Sequence, residues 1–228
     1  LTTADQIRLP DFHAAVEEVG EPNDAPFFHL AGLLISGTNG DLNALRLDRC
    51  VDEAQAEKLS GYIHNSFFVS RYPDDYATEL MVDQDDADGN TLTMTVTNRR
   101  LLSRLRAYVR KENGKLRLSD DVFTAGLAAQ KHILRALFTA DATLTGDSLE
   151  LHHPSSGLLQ DVQLLLLGFG VRSKVTSDDR RTMSGLTIDP ASLPAFCKHI
   201  ALLPGAKLEW LADLVARRLP LVASPWDN

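Results

Sequence analysis

Two stretches of the chain share one pattern of apolar and polar positions. In "LAGLLISGTNGD" (30–41) and "LRALFTADATLT" (134–145) apolar residues run almost unbroken. Small residues recur one turn apart, Gly32 with Ser36/Gly37 in the first stretch and Ala136 with Ala140 in the second. This spacing predicts two helices whose small-residue seams let them approach closely. Laid side by side, Leu30 matches Leu134, Gly32 matches Ala136, Leu33 matches Leu137, Leu34 matches Phe138 and Gly37 matches Asp141.

The match extends beyond the helices. Each is followed by an alternating, strand-like run, "LNALRLD" (42–48) or "DSLELHH" (147–153). An amphipathic helix follows, "VDEAQAEKLSGYIHNSF" (51–67) or "SSGLLQDVQLLLLGFG" (155–170). Two further strand-like pieces come next, "ATELMVD" and "NTLTMTVT" in the first copy, "VRSKVTS" and "RTMSGLTID" in the second. "NRRLLSRLRAYVR" (98–110) closes the first copy as a helix, and "PASLPAFCKHIALL" with "AKLEWLADLVARR" closes the second. Helix, strand, helix, strand, strand, helix is therefore written twice, which predicts an α+β fold of two halves related by a pseudo-two-fold axis. The expected division is an N-terminal strap over 1–25, a first repeat over 26–118 and a second over 119–228. Asp24 with Pro26, and Ser119 with Asp120, are start signals for helical regions, and "DADGN" (86–90) is a hairpin turn.

If the two seam helices pack together, their C-terminal ends meet at the centre, flanked by both sheets. Partial negative charge at paired helix ends, with an acidic side chain there, suits a divalent cation. Two twisted sheets over such a centre form a saddle shaped for duplex DNA, where Mg²⁺ between carboxylates and a phosphate activates water. Alternation on the strands separates core from groove. With Leu45, Leu47, Val171 and Val175 toward the helices, Arg46, Asp48, Arg172, Lys174 and Thr176 point outward, and Thr91, Thr93, Thr95 and Thr97 share one polar face. These are the residues expected to touch bases and phosphates.

Charge tempers this picture without reversing it. The formal net charge is −8, with 31 acids against 23 Lys and Arg, but acids clump in turn-like segments while cations cluster in 98–111 and 171–174. With 44% hydrophobic residues the chain can bury one substantial core or two small fused ones, and no run approaches the length of a membrane span. Cys50 and Cys197 have no paired spacing, so they are expected as core filler in a reducing, cytoplasmic setting.

The residues also carry a resemblance. "LAGLLISGTNG" and "LRALFTADATL" resemble the two copies of the LAGLIDADG motif of homing endonucleases, and "LLQDVQLLLLGFGVRSKV" resembles the helix and strand that follow the second copy in inteins, with ribonucleotide reductase inteins most similar. The resemblance spans about 26–218. It implies an αββαββα fold in each half, a monomer lying on double-stranded DNA, Mg²⁺ as cofactor and one metal-binding acid per motif. Carried over by position, Asp141 is the acid of the second motif, and Gly37 stands where the first motif has one; Asp41, one turn farther on, substitutes only if the helix end rearranges. Lys207 resembles a lysine near the active centre that stabilises developing charge. The expected function is therefore a LAGLIDADG endonuclease-like domain of intein type, with hydrolysis impaired by the missing acid. The alternative is a non-enzymatic DNA-binding or structural insert domain, since degenerate members of this family serve as transcription regulators.

Splicing residues of an intein are not recognised in the chain, so a free domain or a fragment beside an external splicing domain is expected. Other motifs count for less. "DADG" (86–89) follows no helix, "GDSL" (146–149) lacks the context of a hydrolase, and "LHHP" (151–154) has no third ligand at suitable spacing and suits a DNA-facing strand end.

Overall fold

The computed structural model describes residues 25–37, 44–47, 78–83, 91–96, 99–176 and 183–218. The strap, the helix expected over 51–67, the turn over 86–90, Asp41, Asp48 and Cys50 lie outside these residues.

Helix α1 (Ala25–Gly37) has Pro26 in its first turn, where a missing N–H costs nothing. Leu30, Ala31, Leu33, Leu34 and Ile35 are all buried, so the helix is covered on every side through its middle. Its chief neighbour is α4 (Leu127–Asp141), the second seam helix. At Gly32 the helices touch backbone to backbone. An added Cβ there would stand 2.9 Å from Ala136 Cβ and would collide with the carbonyl oxygen of Ile133. One turn earlier His29 Nε2 and His132 Nδ1 share a hydrogen bond of 2.8 Å across the seam, their rings edge to face.

Each seam helix leads into a sheet. In the first half β1 (Ala44–Leu47), β2 (Thr78–Asp83) and β3 (Thr91–Val96) form an antiparallel sheet of order β1-β3-β2. In the second, β6 (Ala142–Thr145), β7 (Ser148–His153), β8 (Ser173–Thr176) and β9 (Ser184–Ile188) form a four-stranded antiparallel sheet of order β6-β7-β9-β8. Here the sequence pattern undercounts. One alternating run was expected after Asp141, but "ATLT" is itself a strand, joined to β7 by the two-residue turn Gly146–Asp147 with Thr145 opposite Ser148. Gly146 takes a φ of 57°, a left-handed value that suits glycine in such a turn.

The inner face of this sheet carries Leu149, Leu151, Leu186 and Ile188, all buried, under α5 (Ser156–Gly168) with Leu158, Val162 and Leu166. The hydroxyl of Ser155 caps α5 by accepting from the Leu158 N–H. His153 closes the sheet's inner face with Nδ1 accepting from the Ser155 N–H at 2.9 Å, and burial pushes its imidazole below the usual range. The chain ends its described part with a short 3₁₀ turn (Pro190–Ser192), α6 (Leu193–His199) and α7 (Ala206–Arg218). Phe196 of α6 packs on Phe138 of α4, ring centroids 5.1 Å apart.

The connection between the halves departs from expectation. The helix expected over 98–110 is α2 (Arg99–Arg106) only, and the chain then makes a hairpin of β4 (Val109–Glu112) and β5 (Lys115–Leu118). Asn113 and Gly114, at φ 51° and 76°, form the turn, as an Asn-Gly pair with two left-handed residues favours. The hairpin is fastened to α5 by a forked ion pair: Arg117 Nε and Nη2 donate to the two oxygens of Asp161 at 2.7 and 2.6 Å, and the Leu118 N–H adds a third bond at 3.0 Å. Asp161 is buried, and its hydrogen bond holds the Arg117 guanidinium above its ordinary pKa. Between hairpin and seam helix, α3 (Asp120–Thr124) is a separate short helix, and the buried Gln130 amide donates to the carbonyls of Val122 and Phe123 at its end.

Gly32→Ala tests the seam. A helical alanine gains up to about 1 kcal/mol over glycine in an open site, whereas overpacking a tight contact costs about 1–3 kcal/mol. With a carbonyl oxygen in the way, the cost prevails. The expected result is a lower denaturant midpoint for Gly32→Ala and a lower one still for Gly32→Val, measured by equilibrium unfolding.

Candidate nucleic-acid interface and metal centre

Gly37 is the last residue of α1 and Asp141 the last of α4, so the two aligned motif positions occupy equivalent helix ends. α4 stops at Asp141 because Ala142 turns extended (φ −74°, ψ 139°) to open β6, while its N–H still reaches the Phe138 carbonyl. The Asp141 carboxyl is half-buried there. A helix C-terminus presents carbonyl oxygens and partial negative charge.

Lys207, in the first turn of α7, comes to this same end. Its Nζ donates to the Thr139 carbonyl at 2.8 Å and to the Ala140 carbonyl at 3.4 Å. Two contacts bring it there. Thr139 Oγ1, fully buried, donates to the Arg135 carbonyl at 2.7 Å and accepts from the Leu203 N–H at 2.9 Å. Arg135 Nε donates to the Ile200 carbonyl at 2.6 Å. The 200–206 connection is thereby tied along α4, and the lysine that follows it is delivered to the helix end. Sequence resemblance pointed to Lys207; the threonine and arginine that place it were not foreseen, and only the one-turn spacing of Arg135 and Thr139 hinted at their back-bond.

The donor set defines which metal chemistry fits. Among the described residues there is no group of three His, Cys, Asp or Glu able to hold an ion. Mg²⁺ is commonly held by one or two carboxylates with substrate phosphates and waters completing the shell. Asp141 alone fits that pattern only when a phosphate supplies further oxygens. Lys207 on the terminal carbonyls already offsets part of the helix-end charge.

The outward face of the β6-β7-β9-β8 sheet carries polar residues in register. Thr143, Glu150, Thr187 and Lys174 lie across from one another on successive strands, and His152, Gly185 and Thr176 form the next row. Lys174 and Thr176 are exposed while Val175 between them packs on the core, as the alternation predicts. Arg172 precedes β8 and pairs with Asp189 at 3.5 Å, its side chain 69% exposed. Such an exposed pair is worth about 1 kcal/mol or less, so Arg172 can exchange it for a phosphate at little cost. Glu150 is a member of this face that was not singled out beforehand, although the alternation of "SLELHH" contained it. Ser148 Oγ donates to Glu150 Oε1 at 3.1 Å and His152 Nε2 lies 3.5 Å from Oε2. Of "LHHP", His152 faces outward as a DNA-facing end requires, but His153 is buried. In the first half the register sets Arg46 opposite Thr93 and Ala44 opposite Thr95, so these positions share one side of that sheet; Asp48 is outside the described residues.

Residues 128–201 match the family model of the LAGLIDADG-like domain. Among solved structures, I-DmoI in complex with DNA and Ca is 15% identical with a TM-score of 0.59, covering 83% of this chain and 97% of that one. I-DmoI in complex with DNA and Mn is 14% identical with a TM-score of 0.54, covering 77% and 96%. The N-terminal LAGLIDADG domain of DUF199/WhiA is 14% identical with a TM-score of 0.54, covering 87% and 93%. No curated protein matches the sequence. The chain therefore has the α+β fold of the LAGLIDADG homing endonucleases. Among the described residues no helix is long and apolar enough to cross a membrane.

Thr139→Val removes the hydroxyl that the Leu203 N–H donates to, leaving a buried donor unmet at about 1–3 kcal/mol. The expected outcome is a drop of that size in unfolding free energy, with faster amide exchange confined to about 200–207.

Proposed function

We propose that this chain binds duplex DNA across the outward faces of its two sheets, and that hydrolysis of the DNA is impaired because Gly37 stands at the motif position where a second acid is expected. The observation that carries this reading is the pair of equivalent helix ends, one closed by Asp141 and the other by Gly37. The fold it shares with DNA-bound I-DmoI supports the DNA partner.

On this reading Arg172 and Lys174 take phosphates, and the threonines and Glu150 face base edges. Asp141 offers its carboxylate to a divalent cation, Mg²⁺ by preference, and to the water near the scissile phosphate. Such a cation, when bound, supplies Lewis acidity and a more acidic water. Lys207, held by Thr139 and Ala140, keeps an ammonium beside the developing negative charge; an ammonium has three donors, and two go to those carbonyls. With glycine at the position aligned with Asp141, a second phosphate lacks the motif carboxylate there, so one strand is cut at most. We further propose an intein origin and a monomeric state, on the strength of the motif resemblance. A purely DNA-binding role is the second reading, favoured by Gly37 at the motif position.

A supercoiled plasmid carrying the target, incubated with Mg²⁺, separates these. The proposal expects slow nicking or no reaction, never efficient linearisation, and expects Gly37→Asp to raise linear product where the seam accommodates the side chain. Efficient site-specific linearisation by the unaltered protein overturns it. DNA binding with no metal-dependent nicking in either form supports the second reading.

A further inference from the structure

We infer that the basic unit between the two halves, α2 with the β4–β5 hairpin, is a second contact surface for the phosphate backbone of duplex DNA, separate from the sheet faces. The inference rests on the DNA binding proposed above. The segment "RRLLSRLRAYVRKENGKLRL" (99–118) holds eight of the chain's 23 Lys and Arg and one acid, in a chain of net charge −8. Asp120 and Asp121 end this block at the start of α3.

Structure turns this run into a surface. In α2, Leu101, Leu102 and Leu105 are buried while Arg104 and Arg106 are exposed. In the hairpin Arg110, Lys111 and Lys115 are exposed and Leu116 and Leu118 are buried. Arg110 sits directly opposite Arg117, an arrangement of like charges that destabilises an antiparallel pair. Arg117 is answered by Asp161 and, more loosely, by Glu112 at 3.4 Å. Arg110 donates Nε to the Leu118 carbonyl at 3.1 Å, which fixes its guanidinium in place beside Arg117. Concentrating cations in this way raises self-repulsion in the free protein. An anionic partner along the ribbon removes that repulsion.

Two features favour duplex phosphates over an acidic protein. Protein interfaces depend on apolar and aromatic anchors, and none of the large exposed apolar residues among the described positions falls within 101–118. Phosphate contacts need only donors and positive charge, and a duplex presents one negative charge per about 1.7 Å. Position separates this surface from the saddle. β5 packs on α5, and α5 covers the buried face of the β6-β7-β9-β8 sheet, so the hairpin's cations do not belong to the outward rows. DNA reaches them only by extending beyond the sheet footprint.

The test compares Arg110→Gln/Lys111→Gln/Lys115→Gln with the unaltered protein on two duplexes, the shortest that the unaltered protein binds and a much longer one of unrelated sequence. On the long duplex the slope of log Kobs against log salt should flatten by about 0.9 per lost phosphate contact, up to about three in all; on the short duplex it should not change. Lys111→Gln/Lys115→Gln keeps the Arg110 bond to Leu118 and serves if the triple variant does not fold. Arg172→Gln/Lys174→Gln tests the sheet face alone and should weaken binding to both duplexes. An unchanged slope on the long duplex, in a folded variant, overturns the inference. So does an equal loss on the short duplex.

Discussion

The approach of α1 to α4 at Gly32 constrains everything else in the molecule. A side chain at that position would meet the Ile133 carbonyl and the Ala136 methyl, so the helices can lie this close only with glycine against alanine. Once they do, both helices are buried through their middles, and their C-terminal residues, Gly37 and Asp141, open onto the sheets that follow. Hydrogen bonding between His29 and His132 and the packing of Phe138 on Phe196 extend the same contact outward. The geometry of the centre thus follows from a packing requirement of the two helices.

That origin explains why the core of the fold was legible in the sequence. Small residues at Gly32, Ala136 and Ala140 announced the seam, and the alternation of Val171, Val175 against Arg172, Lys174, Thr176 announced which side of β8 faces out. The misses have local causes. "ATLT" continues so directly from α4 that it passes for the end of the helical motif, and only the register of Thr145 with Ser148 marks a second strand. "RLRAYVR" has helix-like spacing, and the hairpin that replaces its end is held by Asp161, some forty positions away in the chain. An Asn-Gly pair at 113–114 was the available signal. Lys207 was recognisable by resemblance, yet its placement depends on Thr139 and Arg135 binding the 200–203 backbone, which no spacing rule exposes.

Electrostatics divides the labour. The sheet face sets Lys174 and Arg172, which the proposed reading gives to phosphates, beside Glu150 and several threonines, which it gives to base edges. Lys207 tempers the negative helix end beside Asp141, so on the proposed reading a cation there depends on that carboxylate and on oxygens from the DNA. In a chain with a net charge of −8, cations cluster in 98–111 and 171–174, and on the proposed reading both clusters answer the polyanion.

The claim at the centre of this account is that a single carboxylate, Asp141, holds metal in the complex with DNA. Counting bound Mn²⁺ by electron paramagnetic resonance on the protein–DNA complex tests it most directly. One ion per complex, lost in Asp141→Asn, is the predicted result. Two ions per complex, or one that survives Asp141→Asn, would contradict it.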